Sequence, residues 1–400
     1  MKVGTGPEGS ALEVLAVATH LGLTSFGGPI AHLGYFREEY VQRRKWLEDE
    51  RFAELVALCQ ALPGPASSQV GMAIGMIRAG LPGALLAWVG FTLPSAIALV
   101  LFAYGLDALG NVEDAGWLHG LKVAAVAVVA YAVWGMARSL APDRQRATIA
   151  IAAAIAALAW QTATVQVLII FLAGLIGWRL FFSAGAVPVR EMASPVSPGL
   201  AITASVLFFA LLIGLPLANS LVSSQALSVF DSFYRVGSLV FGGGHVVLPL
   251  LRAEVVPPGW VGEQDFIAGY GAAQAVPGPL FTFAGYLGAV MGPAPNGAAG
   301  GALALVAVFL PSLLLVTGGL PVWSVLRVNP SFQAALIGVN AAVVGLLVAA
   351  LYNPVWVGAI KSADDFSLAV AAFGLLAFWR APPWSVVLFS AAGGALLATL

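Results

Sequence analysis

The sequence predicts an all-α integral membrane protein, built as an inverted repeat of two homologous halves whose helices are broken or re-entrant at matching places. Composition is the first observation behind this: hydrophobic residues fill 60% of 400 positions, charged residues 9%, and mean hydropathy is +0.92. A soluble domain does not tolerate such values, and apolar stretches approaching the roughly 20 residues of a membrane-crossing helix recur along the chain. The second is a repeat. Phe26-Gly27-Gly28-Pro29, followed by Gln60-Ala61-Leu62-Pro63-Gly64-Pro65, returns as Phe241-Gly242-Gly243-Gly244, followed by Gln274-Ala275-Val276-Pro277-Gly278-Pro279. The offset is 215 at Phe26/Phe241, 214 from Trp46/Trp260 to Pro63/Pro277, 217 at Pro94/Pro311 and 218 at Gly120/Gly338, as one duplicated unit requires. The third is the placement of Lys and Arg.

Nine segments read as full crossings: 82–106, 118–138, 145–161, 163–182, 199–221, 299–320, 332–352, 366–380 and 384–400. Four further regions, 10–45, 52–80, 226–252 and 264–292, carry Gly-Gly or Pro-Gly-Pro near their middles, for about 13 membrane segments in all. A helix cannot run through Pro-x-Pro with its hydrogen bonds intact, so each region is either a strongly broken crossing or a re-entrant hairpin with its tip in the membrane. The organisation expected is a first repeat at 1–182, a linker and inverting transmembrane helix at 183–222, and a second repeat at 223–400.

With hairpins and a cytoplasmic N-terminus, fourteen of the 18 Lys and Arg fall inside and only Arg252 and Lys361 outside, Lys122 and Arg235 lying within apolar segments. Single crossings would give ten against six, so the positive-inside rule favours hairpins. Either way an odd number of crossings separates the repeats, which are therefore inverted. The stretch 253–326 contains no Lys or Arg, whereas its first-half counterpart holds Arg43, Arg44, Lys45, Arg51 and Arg78. Trp117, Trp178, Trp260, Trp323, Trp356, Trp379 and Trp384 fall near predicted helix ends, as interfacial anchors do.

Net charge is −1, which gives no basic character suited to nucleic acid. The single Cys59 excludes an intrachain disulfide, and the N-terminus reads as retained rather than as a signal peptide. No cofactor motif or phosphate-binding Gly-x4-Gly-Lys-Ser/Thr loop is present, and four scattered His without HExxH, GxSxG or CxxC argue against a membrane-embedded hydrolase. An oligomer is compatible with the sequence.

Broken helices place free N–H groups and positive dipole ends at mid-membrane, where they stabilise anions, although exposed C-terminal carbonyls would suit cations. Local side chains favour the anion. His20 and Arg235 occupy the same repeat position, six residues before Phe26 and Phe241, and Lys122 lies in Gly120-Leu121-Lys122 with neutral Asn340 as its repeat mate. Ser25, Gln60 and Gln274 add uncharged donors near the tips. The expected substrate site therefore gathers His20, Ser25, Phe26, Gly27, Gly28, Gln60, Pro63, Gly64, Pro65, Lys122, Arg235, Gly242, Gly243, Gln274, Pro277, Gly278, Pro279 and Asn340. Against this, Lys122 reads equally as a snorkelling cation and Arg235 as the i+4 partner of Asp231.

Ser25-Phe26-Gly27-Gly28-Pro29 with Arg43-Arg44-Lys45-Trp46, Leu62-Pro63-Gly64-Pro65, Gly120-Leu121-Lys122, Phe241-Gly242-Gly243 and Ala273-Gln274-Ala275-Val276-Pro277-Gly278-Pro279-Leu280 closely resemble the two-domain form of the chromate ion transporter family. The resemblance runs through nearly the whole chain. It implies a bacterial cytoplasmic-membrane protein that exports chromate and confers resistance, with about 13 crossings in two opposed domains. Family members often carry Lys where this chain has His20 and Arg235, so His20 is a departure. A dianion leaving a negative interior gains about 4.6 kcal/mol per 100 mV, which suits a secondary carrier exporting without nucleotide. A carrier or channel for another tetrahedral oxyanion, notably sulfate, stays open as the alternative.

Overall fold

The computed structural model describes residues 9–109, 115–160, 162–182, 195–241 and 244–399, and in them every regular element is helical. Gly242, Gly243 and most of the expected linker lie outside the described residues. The first half opens with α1 (Ala11–Thr24) and α2 (Gly28–Phe36), which runs into a π-helical turn at Arg37–Arg43, then α3 (Asp49–Ala61) and α4 (Ala66–Leu109). It continues with α5 (Gly116–Leu140), α6 (Arg144–Ala159) and α7 (Ala163–Phe181), and α8 (Pro198–Leu221) leads to the second half. There α9 (Gln225–Leu239) and α10 (Val247–Val255) answer to α1 and α2, with a 3-10 turn at Gly244–Val246 between them. Next come α11 (Glu263–Ala273) and, after a 3-10 turn at Leu280–Thr282, α12 (Phe283–Val290). The chain ends with α13 (Gly297–Leu326), α14 (Pro330–Ala350), a second π-helical turn at Leu351–Trp356, the short α15 (Val357–Ala359), α16 (Ala363–Ala377) and α17 (Pro383–Leu397).

Each of the nine expected crossings coincides with a helix, and six helices among the described residues are long and apolar enough to cross a membrane. Their starts follow local chemistry. Ser197, Thr162 and Asn329 accept hydrogen bonds from the first-turn N–H groups of α8, α7 and α14, and Pro198 and Pro330 take the first helical position, where no donor is needed. The expected boundary near residue 80 is a break inside α4. Ala79 leaves helical geometry and Gly80 takes φ +64°, a conformation that costs a side-chain-bearing residue dearly.

Each of the four Gly/Pro-interrupted regions folds back on itself. Glu13, early in α1, lies 3.6 Å from Arg44 beyond the π-turn, although a straight helix would set them about 45 Å apart. The Arg78 guanidinium sits 5.1 Å from the ring of Trp46, which closes the α3–α4 arms around Pro63-Gly64-Pro65. Arg235 of α9 bonds Glu254 of α10 at 2.8 Å, and Gly292 donates to the Trp260 carbonyl at 3.0 Å across the arms that flank Pro277-Gly278-Pro279. Arms joined this way are hairpins in the geometric sense.

The halves interlock. α5 packs on α16 and α17 of the other half, while α14 packs on α6 and α7. Gly120 permits the first crossing, because a Cβ there would strike the Ser390 carbonyl, and its mate Gly338 does the same against Ala173. Repeat-equivalent ion pairs also recur, Arg37–Asp49 at 2.7 Å and Arg252–Glu263 at 2.8 Å. Trp323, three residues before the end of α13, is buried at 3% exposure, whereas Trp178, Trp356, Trp379 and Trp384 are exposed.

Candidate functional site at the hairpin tips

The Pro-Gly-Pro tips meet Ser25 and Val240, the residues just before the two Phe-Gly-Gly motifs, across the two halves. Gly64 donates its N–H to the Val240 carbonyl at 2.6 Å, and Gly278 donates to the Ser25 carbonyl at 2.9 Å. These bonds are repeat equivalents, so the first hairpin binds the fourth and the second binds the third about a pseudo-two-fold axis. Glycine is required at both tips. Gly64 has φ +121° and Gly278 φ +93°, and a Cβ would run into Ser312 and Gln69 at the first tip and into Ser95 and the Phe91 carbonyl at the second. Ser95 and Ser312 are again repeat mates.

Beside the second of these junctions lies a cavity of about 470 Å³, large enough for a hydrated anion given the roughly 30 Å³ share of a water molecule. Gly27 and Gly28 form one wall, Gln274 and Gly278 another, His245 a third, and the C-terminal half of α5 contributes Tyr131, Arg138 and Ser139. Four helical starts, at Gly28, Gly244, Leu280 and Pro383, border it, against three helical ends, at Ala273, Leu140 and Ala377. Arg138 is the one Lys, Arg, Asp or Glu among the described lining residues, so the side-chain charge there is positive. No carboxylate lines it among the described residues. The Arg138 guanidinium lies 5.4 Å from the Trp134 ring and forms no ion pair among the described residues, and the Gln274 amide nitrogen is buried without a partner. His245 binds the Tyr270 hydroxyl through Nδ1 at 2.7 Å, which directs the rest of the ring away from that bond.

The structure thus brings Gly27, Gly28, Gln274 and Gly278 to one cavity and distributes the other sequence-derived candidates around it. Ser25 and Phe26 flank the wall, Ser25 buried and Phe26 packed on Trp384 at 6.1 Å, and Pro277 and Pro279 bracket the Gly278 tip. Pro63, Gly64 and Pro65 belong to the other junction, where Gln69 donates to the Pro63 carbonyl at 2.6 Å. Gln60 and His20 lie on exposed faces. Arg235 bonds Glu254 and Asp231, so its charge is balanced within the protein; the Asp231 partner was legible from the i+4 spacing, the Glu254 partner was not. Lys122 donates to Gln264 at 2.7 Å, while its mate Asn340 has an amide oxygen without a partner. Sequence reasoning passed over Arg138 and His245. Arg138 ends an apolar helix and His245 follows the second glycine turn, so proximity to the motif was the available signal for His245 alone.

No solved structure matches this chain. The chromate transport protein of Pseudomonas aeruginosa is 30% identical over 97% of this chain and 92% of its own length, and that of Cupriavidus metallidurans is 25% identical over 87% and 84%. An uncharacterised transporter of Methanocaldococcus jannaschii is 26% identical over 85% of this chain and 83% of its own length. The chromate transporter family matches residues 12–178 and again residues 227–395, one match to each copy of the repeat whose tips form the cavity, and the chain belongs to that family.

Proposed function

We propose that the protein is a secondary transporter that exports chromate across the bacterial cytoplasmic membrane and so confers chromate resistance, with the tip cavity as its substrate site. The observation that carries this is a cavity bordered by helix N-termini, one unneutralised arginine and an unpartnered amide, with no acid among its described lining residues, in a chain of this family. Arg138 draws the dianion in. The backbone N–H groups at Gly28 and Gly244, with Gln274, take over from its water shell at the tips. In this reading the four folded-back regions are re-entrant hairpins, two from each face, and the nine remaining helices cross. Arg138, Leu376 and Pro383 then lie toward the cytoplasm, so the cavity opens inward, where an exporter collects its substrate. The repeats at 1–182 and 223–400 act as two inverted units joined by α8.

Chromate flux into inverted vesicles, with the potential set by potassium and valinomycin and sulfate as competitor, tests the proposal. Saturable uptake that rises with an interior-positive potential and resists excess sulfate is expected. Arg138→Gln should raise KM about 5- to 30-fold with a smaller effect on the maximal rate, the loss of about 1–2 kcal/mol of long-range attraction for a dianion across a wet cavity. Preference for sulfate would make the protein a carrier of that anion, and unsaturable unitary currents would make it a channel.

A further inference from the structure

The open cavity has a shut counterpart. Val128, Tyr131, Ala132 and Gly135 of α5 line the 470 Å³ space. Their repeat mates on α14 and its continuation, Leu346, Ala349, Ala350 and Asn353, all line a pocket of only about 20 Å³. The flanking helices correspond as well. Leu376 of α16 and Pro383 of α17 border the open space, and Leu158 of α6 and Gln166 of α7 border the small one. In an inverted repeat these are the same construction on opposite faces, once open and once closed.

What closes the small pocket is the second arm of the third hairpin. α10 packs on α14 and α7, and its Pro249 and Arg252 line the pocket. Three contacts hold it: Arg252 to Glu263 at 2.8 and 2.9 Å, Arg252 to the Asn353 amide oxygen at 3.5 Å, and the Gln166 amide nitrogen to the Pro249 carbonyl at 3.3 Å. The equivalent arm in the first half, α2, packs on α4 and its own π-turn, and the large cavity lies between its start and α5. The chain also supplies latch residues on one side only. Asn353 answers to Gly135 and Gln166 to Pro383, neither of which has a side chain that can donate or accept there. The first-half ion pair Arg37–Asp49 is half-exposed and borders neither space, whereas Arg252 is 17% exposed.

We infer that the small pocket is the collapsed outer vestibule of the transport path, the exit for the same oxyanion, kept shut by a latch of Arg252, Glu263, Asn353 and Gln166 while the inner vestibule is open. Opening swaps the two hairpin arms: α10 withdraws from α14 as α2 closes on α5. The inference rests on the inverted-repeat transporter reading proposed above but not on which anion is carried.

Its test needs no substrate. In a Cys59→Ala background, single cysteines at Ala349 and Tyr131 are labelled with a membrane-impermeant maleimide, Ala349→Cys from outside and Tyr131→Cys from inside. With the latch intact, Tyr131→Cys labels readily and Ala349→Cys slowly. Arg252→Gln combined with Asn353→Ala should raise external labelling at Ala349→Cys at least tenfold and lower internal labelling at Tyr131→Cys several-fold. An unchanged rate at Ala349→Cys, or a rise without the fall at Tyr131→Cys, overturns the coupled-gate assignment. If that variant unfolds, both rates rise, and the charge-swapped pair Arg252→Glu with Glu263→Arg decides. A swap that protects Ala349→Cys is expected, and one that leaves it labelled overturns the latch. Because chromate is absent, a protein that failed the flux assay through carrying another anion would still give the anti-correlated labelling.

Discussion

Gly278→Ala tests the tip geometry most directly, because the chain contains its own controls. At Gly278 a methyl group meets two penalties. The backbone sits at φ +93°, which costs an L-residue about 1–2 kcal/mol, and the new Cβ would lie 2.9 Å from the Ser95 hydroxyl and 3.1 Å from the Phe91 carbonyl, an overpacking cost of about 1–3 kcal/mol. Together they disfavour the observed tip by about 2–5 kcal/mol, a factor of roughly 30 to more than 10³ in its occupancy. The bond from Gly278 N–H to Ser25 would be the first to yield. Gly28 has φ +77° but nothing within 4 Å of its would-be Cβ, so Gly28→Ala carries the conformational penalty alone, about 5- to 30-fold. Gly34 has neither a neighbour nor a positive φ, and Gly34→Ala should be close to neutral. The assay is chromate flux in inverted vesicles, normalised to folded protein measured by fluorescence-detected size exclusion. The expected order is Gly34→Ala near wild type, Gly28→Ala impaired and Gly278→Ala inactive. Equal effects of Gly28→Ala and Gly278→Ala would refute the tight junction at the tip, since the two differ chiefly in the space around the Cβ.

Arg235→Gln should cost about 3–5 kcal/mol by stranding Glu254 and Asp231, whose side chains are 11% and 4% exposed, and should therefore lower the yield of folded protein; adding Glu254→Gln should recover part of it. A normally folded Arg235→Gln that loses flux would instead make Arg235 a substrate contact. Sidedness is checked with Arg43→Cys and Glu263→Cys in the Cys59→Ala background: Arg43→Cys should label only from the cytoplasm and Glu263→Cys only from outside, and external labelling at Arg43→Cys would rule out the re-entrant hairpins.

The repeat, the helix positions and the interruptions were legible in the sequence because each is a local property. Hydrophobic length fixes where a helix can lie in a bilayer, and Pro-Gly-Pro or Phe-Gly-Gly stops a helix whatever surrounds it. Hence all nine expected crossings fall on helices, and the boundary near residue 80 falls on the Ala79–Gly80 break. The sign of a loop's charge is likewise written in the loop, which is why the sequence alone supports an expectation of inverted repeats.

Partnership was not local, and only the tertiary structure decided it. Arg235 and Lys122 stood out as cations in apolar segments, yet a buried charge in a low dielectric takes whatever counter-group the fold brings near, here Glu254 nineteen positions away and Gln264 on a helix of the other half. Arg138 stood out less, as one inner positive charge among fourteen, but folding leaves it beside a cavity with no acid to pair with among the described lining residues. The two halves read as equals in sequence. Packing makes them unequal, because correspondence in sequence fixes which elements pair but not how closely the two copies of a pairing approach: among the described residues α10 packs on α14 around a pocket of about 20 Å³, whereas about 470 Å³ lies between the start of α2 and α5.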